Sequence, residues 1–179
     1  MTGGARGLLI VHTGDGKGKT TAALGMLLRS LAHGHACAVV QFLKGERATG
    51  EQALEKAASV LGGSLVWTRC GLGFTWTTRD LDAERRAAQD GWARVARHLA
   101  DPGLRFLLLD ELNLALDKGQ LDTAEVLDAL RGRRPGLHVV VTGRRAPQAL
   151  LEAADLVTEM RTLKHPLQVG IPAQAGIEF

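Results

Sequence analysis

The sequence is poor in cysteine, aromatic residues and long apolar runs, and each shortage narrows the class of protein. Its 179 residues include two cysteines, four phenylalanines, three tryptophans and no tyrosine. Cys37 and Cys70 form neither a disulfide framework nor a metal motif, and the six histidines lack ligand spacing. No apolar run is long enough to span a membrane, and Met1 to Arg6 is too short and too polar for a signal peptide. A reduced, cytoplasmic setting is therefore expected.

The excess of basic charge is small. Lysine and arginine number 22 against 19 acidic residues, a net charge of +3, and the pI is about 9.2. This balance suits an anionic ligand, and neither nucleic acid nor a membrane is expected as a partner. The arginine cluster, interpreted as a pair of solvated loops, comprises Arg131, Arg133, Arg134, Arg144 and Arg145. The length predicts a single domain over residues 1–179, with its own core.

What the sequence does contain is a glycine-rich loop between a predicted strand and a predicted helix. The stretch 13–21 reads Thr-Gly-Asp-Gly-Lys-Gly-Lys-Thr-Thr. Glycines let backbone N–H groups turn towards phosphate oxygens, and a helix N-terminus adds unpaired N–H groups and partial positive charge. Lys19 would add a full charge, and the Thr20 hydroxyl could bind Mg²⁺. The pattern therefore predicts a phosphate-binding loop, with an ordinary glycine-rich turn as the alternative.

The loop departs from the usual spacing by one residue. The common pattern is Gly, four residues, then Gly-Lys-Thr, and counting back from Gly18 places its first glycine at position 13. This chain has Thr13 there, and its first glycine is Gly14. The shorter spacing means that the triphosphate need not lie in the usual register.

Strands and helices alternate along the chain, which predicts an α/β fold. Predicted strands are 8–11, 36–42, 65–68, 106–109, 137–141 and 156–160. Predicted helices are 20–32, 51–61, 80–100, 121–130 and 147–154, and the tail 164–179 is predicted to be extended. We expect a P-loop NTPase fold of the RecA-like kind, a three-layer sandwich of about six mainly parallel strands with helices on both faces.

Ligand sites in such sheets lie beyond the carboxyl ends of the strands. Five segments follow predicted strands and should therefore gather at one edge of the sheet. They are the phosphate loop, Lys44-Gly45, the loop with Phe74 and Trp76, Asp110-Glu111 and Thr142-Gly143-Arg144.

Asp110 and Glu111 directly follow four apolar residues of a predicted strand. A carboxylate in this place can hold Mg²⁺ directly or through water, and capping of the next helix is the alternative. The sequence leaves open which of the two carboxylates would be the inner ligand.

Phe74 and Trp76 lie two residues apart in a glycine-rich loop, where aromatic side chains are unusual. In an extended segment they would face the same side and could form a wall for a large planar ligand. The alternative, which the residues leave equally open, is that both pack under the neighbouring helix.

These motifs together resemble those of the P-loop type of ATP:corrinoid adenosyltransferase, which acts on cob(I)alamin or cob(I)yrinic acid a,c-diamide. The short-spaced phosphate loop and the loop Gly73-Phe74-Thr75-Trp76 are the most specific of them. The other matching segments are 41–45, 109–111, 142–144, 164–165 and 170–179. They cover nearly the whole chain in order.

The resemblance implies transfer of the 5′-deoxyadenosyl group of ATP to the Co(I) of a corrinoid, with release of triphosphate, in adenosylcobalamin biosynthesis or salvage. Members of the family bind ATP reversed in the loop relative to other P-loop enzymes, which fits the altered glycine spacing. The implied catalytic residues are Lys19, Phe74 and Trp76. The aromatic pair would keep the lower axial ligand off Co(II) and so ease its reduction.

Cofactors and partners follow from the same resemblance. Mg²⁺, or Mn²⁺, would be held by Thr20, Asp110 and Glu111. The implied nucleotide-binding residues are Gly14, Asp15, Gly16, Lys17, Gly18, Lys19, Thr20, Thr21 and Arg144. A reduced flavoprotein or flavin would supply the electron, and a homodimer is expected.

The chain departs from common family features at Asp15, where Asn is usual, and at Thr77, where some members are acidic. Only twelve residues precede Thr13, fewer than in members whose N-terminal segment covers the corrinoid. Two other classes are alternatives: a RecA-like ATPase module that binds nucleic acid or a partner, and a small P-loop kinase. The first leaves the aromatic loop unexplained, and the second needs a phosphoryl acceptor site that the sequence does not reveal.

Overall fold

A computed structural model describes residues 6–42, 50–71 and 80–178. The strands are β1 (Leu9–Thr13), β2 (Ala36–Gln41), β3 (Ser64–Arg69), β4 (Leu104–Asp110), β5 (His138–Thr142) and β6 (Leu156–Glu159). The α-helices are α1 (Lys19–Ala32), α2 (Ala53–Ala57), α3 (Leu81–Ala100), α4 (Leu112–Asp117), α5 (Thr123–Arg131) and α6 (Gln148–Ala153). Two short 3₁₀ helices span Gly50–Gln52 and Pro166–Val169.

The six strands form one sheet in the order β3-β2-β4-β5-β1-β6, and every neighbouring pair is parallel. The prediction of about six mainly parallel strands is confirmed. Strand β5 lies between β1, which leads into the phosphate loop, and β4, which ends at Asp110. The carboxyl ends of these three central strands therefore meet at one edge.

The strand side chains alternate between two hydrophobic layers. Leu9 and Val11 of β1 belong to the layer that contains α3, α4, α5 and α6, whereas Ile10 belongs to the layer that contains α1. Because the central strands are covered on both faces, they consist of nearly continuous apolar residues. This arrangement is the expected three-layer sandwich of an α/β fold.

Helix α1 covers one face of the sheet with a stripe of small and aliphatic residues. Ala23, Leu27 and Leu31, four residues apart, are fully buried. The helix ends where Gly34 takes a positive φ of 74° and donates its N–H to the carbonyl of Leu31 at 2.8 Å.

Helix α3 is the long amphipathic helix that the sequence predicts. Asp80 caps it by accepting a hydrogen bond from the backbone N–H of Ala83 at 2.9 Å. Ala88, Trp92 and Val95 are buried against the sheet. The helix is therefore held by its cap and by one apolar face.

Two predictions of local structure are wrong. In place of a helix over 51–61, a 3₁₀ turn leads into the five-residue α2, which has no fully buried residue. Such a segment has too little apolar surface to support a longer helix. The tail is not extended: residues 166–169 form a 3₁₀ helix and 175–178 form turns.

Within the described residues, no helix is both long enough and apolar enough to cross a lipid bilayer.

Candidate nucleotide-binding site

The phosphate loop is shaped by the chain that follows β6. The N–H of Gly16 donates to the carbonyl of Met160 at 2.7 Å. A Cβ atom would come within 2.5 Å of Met160 backbone atoms at Gly14 and within 2.7 Å at Gly16. Gly14 and Gly18 also have positive φ values, 92° and 107°. Glycine is therefore required here by the approach of a neighbouring backbone as well as by loop conformation.

Lys19 occupies the first position of α1 and is 7% exposed. Its Nζ donates to the carbonyls of Gly14 at 2.8 Å and Gly16 at 2.6 Å. Burial lowers the pKa of Lys19; Glu111 opposes this shift and Arg144 adds to it. The ammonium group is thus held inside the loop, where a triphosphate would be expected.

Asp110, the last residue of β4, is fully buried beneath the loop. Its Oδ1 accepts hydrogen bonds from the hydroxyls of Thr20 at 2.8 Å and Thr142 at 2.7 Å. Its Oδ2 accepts from Nε2 of Gln41 at 2.9 Å. These donors come from three other elements, so the carboxylate joins α1, β2 and β5 to β4.

Glu111 occupies a different environment from Asp110. It is half-buried, lines the cleft and has a positive φ of 61°. It stands at the N-cap position of α4, but its side chain makes no capping hydrogen bond. Capping of α4 by this side chain, the alternative to a metal role, is therefore not observed.

Arg144 is placed by a tight turn at the end of β5. Gly143 has φ 134°, and its carbonyl accepts a hydrogen bond at 2.9 Å from Nδ2 of the fully buried Asn113. A Cβ at Gly143 would meet Cβ of Asn113 at 2.9 Å. The turn directs the exposed Arg144 into the lining of the cleft.

The cleft has a volume of about 610 Å³ and extends from the phosphate loop to the C-terminal tail. Its charged lining residues are the cations Lys17, Lys19 and Arg144 and the carboxylates Glu51, Glu111 and Glu178. Gly16, Gly18, Thr20 and Thr21 also line it. The volume is of the size that small-molecule sites have.

The C-terminal tail forms one wall of this cleft. Nζ of Lys17 lies 2.9 Å from Oε1 of Glu178, and the backbone N–H of Gln174 donates to the other oxygen of Glu178 at 2.8 Å. Gly176 and Ile177 complete the wall. The hydrogen bond from Gln174 and the proximity of Lys17 lower the pKa of Glu178.

The structure brings most of the predicted nucleotide residues together. Gly16 to Thr21, Glu111 and Arg144 line the cleft, while Asp110 lies beneath it. Asp15 is exposed and is not part of the cleft lining. Lys44, Gly45, Phe74, Trp76 and Thr77 lie outside the described residues.

Sequence reasoning assigned no side-chain role to Gln41, Thr142 or Glu178, although it placed Thr142 at this edge of the sheet. The first two had a signal, because each is a polar residue that ends an apolar strand, as Asp110 does. Glu178 had no such sequence signal, because its position in the cleft depends on how the tail folds back onto the phosphate loop.

A parallel sheet whose first strand leads through a glycine-rich loop into a helix, with a buried carboxylate from another strand beneath that loop, defines a P-loop nucleotide-binding protein. The particular family is shown by comparison with known proteins. The family described as ATP:corrinoid adenosyltransferase BtuR/CobO/CobP matches residues 5–179 of this sequence. The chain belongs to this family of enzymes.

Curated relatives support the same conclusion. A corrinoid adenosyltransferase of Sinorhizobium sp. is 46% identical over 175 residues, which is 97% of this chain and 81% of the relative. Those of Pseudomonas aeruginosa and Escherichia coli K12 are 45% and 40% identical over 174 residues, covering 97% of this chain and 84% and 86% of the relatives. The resemblance inferred from the motifs is confirmed.

Among solved structures, domain III of the Thermotoga maritima replication initiation protein DnaA is similar with a TM-score of 0.42 and 12% identity. The matched region covers 89% of this chain and 56% of the DnaA chain. A score this low supports no inference.

Proposed function

We propose that this protein transfers the 5′-deoxyadenosyl group of ATP to the cobalt of a corrinoid and releases triphosphate, in cobalamin biosynthesis or salvage. The observation that carries the proposal is the family match over residues 5–179. The geometry agrees with it, because the phosphate loop opens into a cleft with cations on its surface. The 5′ carbon of ATP would be the electrophile, and the triphosphate would be the leaving group.

Lys19 would stabilise the charge that develops on the triphosphate. Its ammonium group is held between the carbonyls of Gly14 and Gly16, so little reorganisation is needed when phosphate oxygens arrive. Lys17 and Arg144 line the same cleft and would add positive charge. The loop N–H groups at the start of α1 would bind the remaining oxygens.

The oxygen atoms at the loop fit Mg²⁺, with Mn²⁺ as an alternative. Thr20 donates its hydroxyl proton to Asp110, which leaves the lone pairs of its oxygen for a cation. Glu111 presents a carboxylate to the cleft. We assign direct binding to Thr20 and Glu111, and to Asp110 the orientation of Thr20. When bound, the metal would neutralise charge on the leaving group.

No group of three or more His, Cys, Asp or Glu side chains that could hold a metal occurs among residues 6–42, 50–71 and 80–178. A magnesium ion held by one or two protein oxygens, with phosphate oxygens and water completing its shell, does not require such a group.

The bond changes require no protein base. The electron pair of Co(I) forms the cobalt–carbon bond, and the pair of the breaking C5′–O bond leaves on the triphosphate. The protein would therefore act by positioning the two substrates and stabilising the leaving group.

Phe74 and Trp76 are proposed for the corrinoid side. Support comes from the described residues that flank them: β3 ends at Arg69, and the N–H of Cys70 donates to the carbonyl of Gln41 at 2.8 Å. Cys70, a described residue shortly before the aromatic pair in the sequence, thus lies beside β2, whose Gln41 contacts Asp110. A reduced flavin or flavoprotein donor, a homodimer and a cytoplasmic location stay predictions.

The test is incubation of the protein with ATP, Mg²⁺ and a chemically reduced corrinoid. We expect the Co(I) absorption spectrum to convert to that of a cobalt–carbon species, with one triphosphate released per adenosyl group. An ATPase or a kinase would instead release phosphate or ADP, and that result without cobalt alkylation would refute the proposal.

A further inference from the structure

A row of polar side chains crosses the sheet beneath the first turn of α1. Gln41 of β2 lies opposite Asp110 of β4, and Thr142 of β5 lies opposite His12 of β1. All four residues are at most 3% exposed. Burying a polar side chain costs free energy unless the side chain is hydrogen-bonded. The hydrogen bonds within the row therefore indicate its role.

Gln41 is the link between this row and the edge strand β3. Its Oε1 accepts a hydrogen bond from the indole Nε1 of Trp67 at 2.9 Å, and its Nε2 donates to Oδ2 of Asp110 at 2.9 Å. The half-buried Trp67 is in β3, two residues before the end of the strand.

The amide of Gln41 has only one orientation that satisfies both neighbours. An indole N–H can only donate, so the carbonyl oxygen must face Trp67. An ionised carboxylate can only accept, so the NH₂ group must face Asp110. Trp67 and Asp110 therefore require the same orientation of the amide, and Trp67 holds the end of the amide that faces away from the carboxylate.

We propose that Gln41 is a positioning residue for the metal-dependent step of nucleotide binding. Its amide fixes the Asp110 carboxylate, Asp110 fixes the Thr20 hydroxyl, and Trp67 fixes the amide. The inference rests on the proposed function insofar as Thr20 binds the metal. It adds two residues, Gln41 and Trp67, that are not part of the cleft lining.

The physical reason lies in the number of donors at Asp110. Each oxygen of the carboxylate is held from a different direction, Oδ1 by two hydroxyls and Oδ2 by Gln41. Without Gln41 the carboxylate loses the donor that holds Oδ2, and the oxygen that accepts the Thr20 proton is then less firmly oriented. The Thr20 hydroxyl could then turn its proton towards the position of the cation and its lone pairs away from it.

Three variants test the proposal. Gln41→Met keeps the length of the side chain and removes both hydrogen bonds, and Trp67→Phe removes the indole donor. The control Val66→Thr changes the neighbouring residue of β3, which is 54% exposed. Each protein is titrated with ATP by calorimetry at a series of Mg²⁺ concentrations and without Mg²⁺, and its folding is checked by thermal melting.

We expect Gln41→Met to raise the Mg²⁺ concentration for half-maximal tightening of ATP binding by about tenfold, as loss of outer-shell partners does in metal sites. Trp67→Phe should give a smaller shift in the same direction. Neither variant should change ATP binding without Mg²⁺, and Val66→Thr should behave as the wild type. In a Thr20→Val background, Gln41→Met should add no further shift.

An unchanged Mg²⁺ dependence in folded Gln41→Met would overturn the proposal, as would an equal loss of ATP binding with and without the metal. If Gln41→Met does not fold, a wild-type Mg²⁺ dependence in Trp67→Phe has the same meaning. The titrations contain no corrinoid. Failure of cobalt alkylation by the wild type would therefore refute the proposed function, while the Mg²⁺ titrations would still test the role of Gln41.

Discussion

The nucleotide cleft has a floor, the hydrogen-bonded side chains of Thr20, Gln41, Asp110 and Thr142, and a cover, the tail wall that Glu178 joins to Lys17. Contacts in the floor and in the cover have similar lengths but different surroundings. In the floor, Thr20 meets the fully buried Asp110 at 2.8 Å. In the cover, Lys17 meets Glu178 at 2.9 Å, with 51% and 16% of their side chains exposed. Losing a partner of a buried polar group costs about 1–3 kcal/mol, whereas an exposed ion pair is screened by solvent and contributes little. The distance between two partners therefore does not show how much a contact contributes to stability, whereas the burial of the partners does.

The largest effect is expected at Lys19, on the boundary of the floor. Lys19→Ala should reduce kcat/KM for ATP by at least about a hundredfold, because a preorganised charge beside the leaving group is lost. The matched control is Lys56→Ala, an exposed lysine of α2. Near-normal turnover by a folded Lys19→Ala protein would show that the loop does not stabilise the triphosphate through this residue.

Substitutions of the two adjacent carboxylates, Asp110 and Glu111, distinguish a structural role from a role in metal binding. Asp110→Asn should raise the Mg²⁺ requirement and also lower stability by about 1–3 kcal/mol, because an amide cannot accept from all three donors. Glu111→Gln should raise the Mg²⁺ requirement with little change in melting temperature.

Mg²⁺ titrations of activity and thermal melts distinguish the two carboxylates. An unchanged metal requirement in both variants contradicts the assigned metal site. Equal losses of stability would contradict the difference in environment between Asp110 and Glu111.

The aromatic pair should affect neither the floor nor the cover. Phe74→Ala or Trp76→Ala is expected to lose activity when the assay starts from Co(II) with a protein reductant, and to retain much of it when Co(I) is supplied chemically. ATP affinity, measured in parallel, should change little. Equal losses in both assays would indicate a structural role, and a loss confined to ATP binding would indicate stacking on adenine.

His12 of the polar row differs from Asp110 in its hydrogen bonding. Both ring nitrogens of His12 lack a hydrogen-bond partner among the described residues, and burial lowers the pKa of His12 below its ordinary value of 6.5. The unfolded chain therefore binds this proton more readily, so the free energy of unfolding should fall as the pH drops below 6.5.

Burial also lowers the pKa values of His98 and His138, which contribute in the same direction. His12→Phe should reduce the loss of melting temperature between pH 7.5 and pH 5.5 and leave part of it. An identical acid shift in the wild type and the variant would show that His12 does not titrate on unfolding.

The smallest effect is expected at the cover. Glu178→Gln should change the ATP dissociation constant by less than about fivefold, and the difference from wild type should shrink at high salt, because an exposed ion pair is screened. Titrations at two salt concentrations check this. A tenfold or greater change that persists at high salt would place Glu178 with the floor.

The sequence predicts the strands and the phosphate loop well because both are local signals. Apolar runs that are buried on both faces place β1, β2 and β4 to within a few residues. Gly14 to Thr21 needs only its own glycines and the helix that follows to be recognised. Asp110 is recognisable only in combination, because it directly follows four apolar residues and the chain also has a phosphate loop.

The missed features depend on contacts between distant segments. Helix α4 has six residues and is held by burial of Leu112, Ala115 and Leu116 against the sheet, not by helix propensity. The role of Gln41 requires knowing that β2 lies next to β4, which local patterns do not reveal. The return of the tail to Lys17 joins residues 161 positions apart.

The place of β1 between β5 and β6 has a consequence for the order in which the protein is made. The phosphate loop is translated early, but Met160, which contacts Gly16, and Glu178, which contacts Lys17, are translated late. At roughly 5–20 residues per second, a ribosome would need about 8–32 s to translate the 161 positions from Lys17 to Glu178. A nascent chain that stops before β5 has neither strand that flanks β1. The site that is encoded first is thus assembled last, and we expect ATP binding only by chains that extend past Met160.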